Sequence, residues 1–504
     1  MATRHAGRIG SHQLDEIAAA AEKILAADPD PGMVAAPSLH VQSAHPNALR
    51  RFEPLFDAAA RRGKILRALL VSAGMPARAI FKASDWWSGD PLPERADVLF
   101  VSHFLNRSQA GKTVDPYFGD LAGQLTDRGY SVVTALIDHS SNGFSGPETN
   151  DWATGRSPRV LLARSIGFKD EFRIGMELGS AAMRIARLRA DPDLAKLAGL
   201  AAIDCLDTGS RDALRIGKHV GRLAGRLRPK LLVVTYEGQS WERVAFQAAR
   251  AAAGTVHCAG YSHAAMFPFQ CALAVRLSNG YDPDTILTAG DLMRERLEER
   301  ASLQNVEIAT LGSVRATPPV EGSQAGKEPV CLILPEGILS EAVELLSFSA
   351  RAASANPAVQ FRIRLHPAMS KDGLLGTCPQ FRSFPENMSW GREATLNEEL
   401  RSASWMLYRG TTSAIQAIMY GVRPLYLELP GEAFDIDPLA QLGTWRKRVS
   451  QVEDLTAVLS LAPETPDKTS PAELVEAREF CMRYFMPMRS EVIVDLIERA
   501  GKAE

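Results

Sequence analysis

What this chain lacks narrows its class first. No stretch approaches the ~20 apolar residues that span a bilayer. The N-terminus, MATRHAGRIGSHQLDE, meets charge before any apolar run, so neither a span nor a secretory leader is expected. Cys205, Cys258, Cys271, Cys331, Cys378 and Cys481 form no CxxC and no paired Cys/His spacing. That argues against a sequence-local zinc site or disulfide framework, and a reducing, cytoplasmic compartment is the expectation. A net charge of −2 and a pI near 6.6 leave neither the basic field of a nucleic-acid binder nor a disordered acidic chain. There is no GxxxxGK[ST] loop, no short repeat and no low-complexity tract. The DPD triplets at 28–30 and 282–284 read as proline turns, so no clear DxD motif stands at a strand end.

The 504 residues, 46% hydrophobic and 23% charged, exceed one ordinary core. At roughly 100–200 residues per domain they imply two or three. Residues 1–95 read as a helical N-terminal appendage with helix-like runs at 14–25 and 48–70, broken by prolines. Its arginines suit a solvated face, or a meeting with an anionic membrane surface at the cell's inner membrane. From Asp97 strands and helices alternate: DVLFVSHFL, a helix over 116–125, YSVVTALI, then KLLVVT, a helix over 241–253, a strand over 256–262 and TILTA. Such alternation predicts a Rossmann-like parallel domain over 96–315, with a helical insertion at about 159–227. Residues 316–329, ATPPVEGSQAGKEP, read as a linker. VCLIL opens a second α/β domain over 330–470, and 471–504 supply helices that could cross back to the first.

Ligands of open parallel sheets bind beyond the carboxyl ends of the strands, so polar residues directly after apolar runs carry the functional weight. In the second domain these are Glu336 between Pro335 and Gly337, His366-Pro367 after FRIRL, and the turn Gly410-Thr411-Thr412-Ser413 before a helix at Ala414. A glycine turn with three hydroxyls suits a phosphate, with a plain helix N-cap as the alternative. His366 can donate to a phosphate or protonate a leaving group, or merely cap a loop. Glu336 can contact a ribose or act as a base, or cap the next helix. In the first domain the strand-end residues are Ser102-His103, Glu237 and Glu242 flanking Trp241, and His263, with a weaker case for Asp138-His139. Glu237, Glu242, His263 and Glu336 are the candidate catalytic groups. Trp241 reads as a sugar platform or as core, and Glu242 alternatively as a first-turn residue complementing the helix dipole.

The order Glu336-Gly337, His366-Pro367 and Thr411-Thr412-Ser413 resembles the acidic-Gly, HP and Ser/Thr motifs of bacterial sialyltransferases and Kdo transferases. TYEGQSWERVAFQAAR, AGYSHAAMFP, YDPDTILTAG and IATLGSVR resemble the bacterial surface carbohydrate biosynthesis proteins, over about 97–445. The resemblance implies a GT-B-like fold, two doubly wound domains facing a cleft, and a CMP-activated sugar donor. It departs in one place, because Pro335 stands where the family has a first acidic residue. The base is therefore open among Glu336, Glu237, Glu242 and His263.

The expectation is an inverting glycosyltransferase that needs no metal and no cofactor. It would move a nucleotide-activated sugar, preferably a CMP-linked ulosonic acid, to a glycan or glycolipid acceptor of O-antigen, capsule or lipopolysaccharide. A UDP- or GDP-sugar transferase, a sugar-nucleotide 2-epimerase and a non-catalytic glycan-binding or assembly subunit are the alternatives.

Overall fold

The computed structural model describes the chain except residues 1–10, 28, 44–51, 53, 56, 82–85, 89–90, 106–108, 140–155, 164, 266, 268–271, 278, 321–328, 368, 392–394, 431–434, 461–469 and 503–504. It divides into two compact units, the first comprising Met1–Ala264, Gln270–Val314 and Met486–Glu504, the second Ala265–Phe269 and Arg315–Phe485.

The first unit opens with helices α1 (Ser11–Ala27), α2 (Pro31–Val34) and α3 (Ala58–Phe81). Its strands are β1 (Trp86–Ser88), β2 (Val98–Phe104), β3 (Val132–Asp138), β4 (Arg159–Leu162), β5 (Leu231–Thr235), β6 (His257–Ser262), β7 (Thr285–Thr288) and β8 (Glu307–Thr310). Between them run α4 (Leu121–Asp127), α5 (Phe168–Arg187), α6 (Ala195–Asp204), α7 (Thr208–Leu227), α8 (Ser240–Ala253) and α9 (Asp291–Glu298). The described strands form one sheet in the order β1-β4-β3-β2-β5-β6-β7-β8, parallel except for β1 on its edge. β2, β3 and β5 are near-continuous apolar runs because both sheet faces are covered.

Two expectations are corrected and a third is refined. The N-terminal segment is no separate appendage: Leu14, Ile17, Ile24 and Leu25 of α1 are buried in the first unit, and β1 pairs with β4. Periodicity of a helix gives its apolar face but not what covers it. The stretch 159–227, expected to be largely helical, is so from Phe168 onward, but RVLL before it forms β4 beside β3, a run too short to separate from a helix start by pattern. The helix expected over 116–125 begins only at Leu121, because one Asp115 carboxylate oxygen accepts from the N–H groups of Tyr117 and Phe118 and holds a turn there.

α7 and α8 cross closely, and Gly217 permits it: a Cβ there would stand 2.5 Å from Val244 Cγ1. On a sheet face, Phe118, Leu121 and Leu125 pack with Val98, Phe100, Leu231 and Val233.

In the second unit β9 (Val330–Leu334), β10 (Gln360–Ile363), β11 (Met388–Trp390), β12 (Trp405–Tyr408), β13 (Arg423–Leu427) and β14 (Lys447–Val449) form a parallel sheet in the order β11-β10-β9-β12-β13-β14. Its helices are α10 (Leu339–Ala355), α11 (Lys371–Thr377), α12 (Leu396–Ser402), α13 (Ser413–Met419), α14 (Val452–Leu459) and α15 (Ser470–Tyr484). Cys331, Ile333, Phe361, Leu407 and Leu425 meet Leu345, Leu346 and Leu455 in its core. The chain then rejoins the first unit through α16 (Ser490–Lys502), where Ile493, Leu496 and Ile497 join the core of α4 and β5. The Met486 N–H donates to the Ala289 carbonyl at 3.0 Å.

The chain is thus an α/β protein with two Rossmann-like units. Cys205, Cys258, Cys331, Cys378 and Cys481 are buried free thiols, and Cys271 lies outside the described residues. Burial pushes the Cys258 and Cys331 thiols up to about 12, so neither is a ready nucleophile.

Candidate functional sites in the two units

Each sheet reverses its strand order once. In the first unit the chain builds outward from β2 through β3 to β4, then returns to β5 on the other side of β2; in the second the reversal falls between β9 and β12. At such switch points the flanking connections leave to opposite faces and open a crevice beyond the carboxyl ends of the strands. The candidate residues gather at both.

In the second unit Glu336 follows β9 and Gly410 follows β12. Gly410 has φ +62°, and a Cβ on it would lie 2.4 Å from Glu336 Oε2, so the carboxylate rests directly against this turn. The ring of His366, beyond β10, sits close over Gly337, where a Cβ would be 2.8 Å from Nδ1. Desolvation lowers the His366 pKa below that of an ordinary imidazole; the Glu336 carboxylate opposes this and the Arg315 guanidinium adds to it. Arg315 Nη1 donates to Thr412 Oγ1 at 3.4 Å. Thr412 is the N-cap of α13, yet its side chain makes no capping bond, and Thr411 Oγ1 accepts from the Ser413 N–H at 3.3 Å. α13 has only seven residues, so hydroxyls and cations dominate this turn more than a helix dipole does. Pro367 stands exposed behind His366.

Arg409 turns the opposite way. Buried, it pairs with Glu341 and donates to the Leu427 carbonyl at 2.6 Å, which fixes the end of β12 from beneath.

In the first unit His103, at the end of β2, bonds through Nδ1 to His139 Nε2 at 2.8 Å and through Nε2 to Thr235 Oγ1 at 3.0 Å. Tyr117 and Trp241 stand nearly perpendicular to its ring, and Tyr117 also meets His263 at a centroid distance of 4.4 Å. Burial, with His139 and His263 adding, drives the His103 pKa down to about 3, so the ring is neutral at neutral pH. His263 Nε2 lies 3.8 Å from Glu237 Oε1, and Gln239 Nε2 donates to Glu237 Oε2 at 3.0 Å. Glu237 and His263 are therefore brought together, at the ends of β5 and β6.

Glu242 is corrected as a catalytic candidate. Its buried carboxylate accepts from the N–H of Glu237 at 3.0 and 3.1 Å and from that of Gln239 at 2.7 Å, forming the capping box of α8. Burial and then Glu237 raise its pKa well above the usual carboxylate range, with the two N–H groups pulling it back. Behind it Arg243, fully buried, pairs with Asp282 and donates to the carbonyls of Ala272 and Val275, both at 2.9 Å. Trp241 is half-buried with its ring nearly perpendicular to that of His103 rather than lost in the core.

Sequence reasoning passed over Arg315 and Tyr117, and it named His103 and His139 as strand-end residues without pairing them. Arg315 had a signal, since it closes IATLGSVR after a strand. Tyr117 had none, because only the Asp115 turn brings it to the histidines.

Among the described residues no group of three or more His, Cys, Asp or Glu has a metal-holding arrangement, and no helix is long and apolar enough to cross a membrane.

No protein-family model and no curated protein matches this chain. Solved structures similar to it include a glycotransferase of kitacinnamycin, at 14% identity and TM-score 0.45 over 81% of this chain and 100% of the other. The glycosyltransferase SnogD from Streptomyces nogalater is 16% identical with TM-score 0.41 over 81% and 100%. An α,α-trehalose-phosphate synthase (UDP-forming) from Burkholderia vietnamiensis is 14% identical with TM-score 0.46 over 81% and 98%. Likeness of this degree assigns no activity.

Proposed function

We propose that this chain is an inverting glycosyltransferase of GT-B-like fold, acting without a metal on a nucleotide-activated sugar. The observation that carries the reading is the gathering of Glu336, His366, Arg315 and the Thr411–Ser413 hydroxyls at the switch point of the second sheet. Arg315 supplies positive charge, the neutral His366 ring offers an N–H donor, and the Thr412 hydroxyl is not used to cap its own helix. That set suits the phosphate of a donor and stabilises the charge growing on it as the glycosidic bond breaks. Glu336 accepts hydrogen bonds from a ribose beside the Gly410 turn.

In the first unit the Glu237–His263 pair supplies the base. His263 takes the proton of the acceptor hydroxyl and Glu237 stabilises the imidazolium. The hydroxyl oxygen forms a bond to the anomeric carbon from the face opposite the leaving group. The carbon–oxygen bond to phosphate breaks and its electron pair leaves with the nucleotide, so configuration inverts. Tyr117 and the half-buried Trp241 offer apolar surface for a sugar ring. The motif order Glu336-Gly337, His366-Pro367, Thr411-Thr412-Ser413 supports CMP as the nucleotide, with an ulosonic acid as the sugar and a surface glycan or glycolipid as the acceptor.

The test is thermal-shift binding of CMP, CDP, UDP and GDP to the wild type, His366→Ala and the Thr411→Ala/Thr412→Ala/Ser413→Ala triple variant. Ligand at 100 times its Kd adds about 2.7 kcal/mol of stability. CMP-selective stabilisation lost in both variants supports the reading and leads to transfer assays. Selectivity for UDP or GDP reassigns the donor. No shift with any nucleotide overturns the reading in favour of a glycan-binding subunit.

A further inference from the structure

The first unit carries apolar side chains in water on two adjoining helices. On α5 these are Phe168, Phe172, Met176 and Met183, the last three 52%, 61% and 63% exposed. On α3 they are Ile65, Leu66 and Leu70, the last two 61% and 67% exposed. α3 and α5 pack against each other. α5 already buries Ile174, Leu178, Ala181 and Ile185 on its inward face, so the exposed set is a second apolar face and not a core stripe turned outward. At about 100° per residue Phe168, Phe172, Met183 and Met176 fall within an arc of roughly 80°. The Phe168 and Phe172 rings stack at a centroid distance of 6.4 Å.

The charge on this face has one sign. Lys169, Arg173 and Arg187 follow the same arc of α5 on its flank, all exposed, and Arg62 is exposed between Ile65 and Leu66 on α3. The sequence of α3 holds four Arg and one Lys with no Asp or Glu. Four acids on the neighbouring elements are engaged within the unit: Asp170 with Arg222 at 2.7 Å, Glu177 with Lys218 at 3.2 Å, Asp204 with Lys64 at 2.6 Å and Asp207 with Arg67 at 3.2 Å, while the exposed Asp191 and Asp193 lie beyond the end of α5. Large apolar and Met side chains beside Lys and Arg on a helix surface suit the boundary between headgroups and acyl chains of an anionic bilayer. A second copy of this chain would bring the same positive charge against itself.

We propose that the α3–α5 face is a membrane-docking surface that lies on anionic lipid. Phe172, Met176, Met183 and Leu66 enter the acyl boundary, and Lys169, Arg187 and Arg62 meet the headgroups. The inference does not depend on the transfer chemistry, but it gives a protein acting on a glycolipid a way to stay at the surface where such an acceptor lies.

The experiment is co-sedimentation of the full-length protein with vesicles of pure phosphatidylcholine and of phosphatidylcholine containing phosphatidylglycerol. Phe172→Ser/Met176→Ser/Met183→Ser and Arg62→Glu/Lys169→Glu/Arg187→Glu variants run alongside, with melting temperature and sedimentation coefficient as controls. Binding to the anionic vesicles, weakened about 100-fold or more by the charge variant and at least about tenfold by the apolar one at unchanged melting temperature, is expected. At about fivefold per charge, raised salt should weaken it as well. Absence of binding to anionic vesicles, or equal binding by both variants, overturns the proposal. So does a wild-type dimer that the apolar variant dissolves while vesicles capture neither, which would make a second copy the occupant.

Discussion

Replacing Gly410 by alanine tests the second-unit site in one atom. Gly410 has φ +62°, a left-handed conformation that costs a residue with a Cβ about 1–2 kcal/mol. The new Cβ would also stand 2.4 Å from Glu336 Oε2 and 2.9 Å from its Cδ, so the carboxylate must swing away. The side chain is flexible and its movement adds little to the folding cost, but it removes Glu336 from the turn. A lost hydrogen bond to a charged group is worth about 1.5–3 kcal/mol, so nucleotide affinity should fall by about tenfold or more. The stability loss should lower the melting transition of the second unit by roughly 2–8 °C. Calorimetry of nucleotide binding and a thermal melt measure both, with Gly443→Ala as control. Gly443 has no positive φ, and nothing lies within 4 Å of its Cβ position, so that variant should melt and bind as wild type. A Gly410→Ala protein with wild-type affinity would refute the claim that Glu336 acts from its place against this turn.

Glu242→Ala removes the acceptor for two backbone N–H groups and should cost about 2–4 kcal/mol in urea unfolding, while nucleotide affinity stays within about twofold; a stable but inactive variant would return Glu242 to the catalytic list. Arg409→Ala strands the buried Glu341 carboxylate and should cost about 3–5 kcal/mol, with much of it recovered in Arg409→Met/Glu341→Leu. An unchanged melting curve for the single variant would contradict the buried pair. For His103 the folded pKa, about 3, lies below the unfolded 6.5, so between these values the unfolded chain binds more protons. Its contribution is therefore intact above about pH 6.5 and is lost as pH falls. The full shift corresponds to about 2 kcal/mol at pH 5, and partial solvent contact of the ring brings the expected loss to about 1 kcal/mol. Urea unfolding at pH 7.5 and pH 5 should show wild type losing about 1 kcal/mol more than His103→Phe; equal losses would show that His103 is not the group held neutral.

Most of the strands were legible because buried parallel strands are written as continuous apolar runs, as in VLFVSHF, VVTALID, LLVVT and VCLIL. RVLL was not, since three apolar residues before a long helix do not say which element they begin. The second-unit candidates each follow a strand directly, so a rule about strand ends finds them in the sequence. Glu242 also follows a strand closely, but the same rule cannot tell a carboxylate aimed at a ligand from one folded back onto its own helix N-terminus.

The sequence alone determined the α/β class, the two sheets and the strand-end loops, because periodicity and turn chemistry act over a few residues. Tertiary structure decided what depends on contacts between distant segments. It fixed the strand order that puts β2 beside β5 and β9 beside β12, and so the two crevices. It brought His103 to His139, 36 positions away, and to Thr235, 132 away. It joined α1 and α16, from opposite ends of the chain, to one unit. Buried area rewards such contacts wherever apolar faces can be closed together, and no local pattern records which partner closes them.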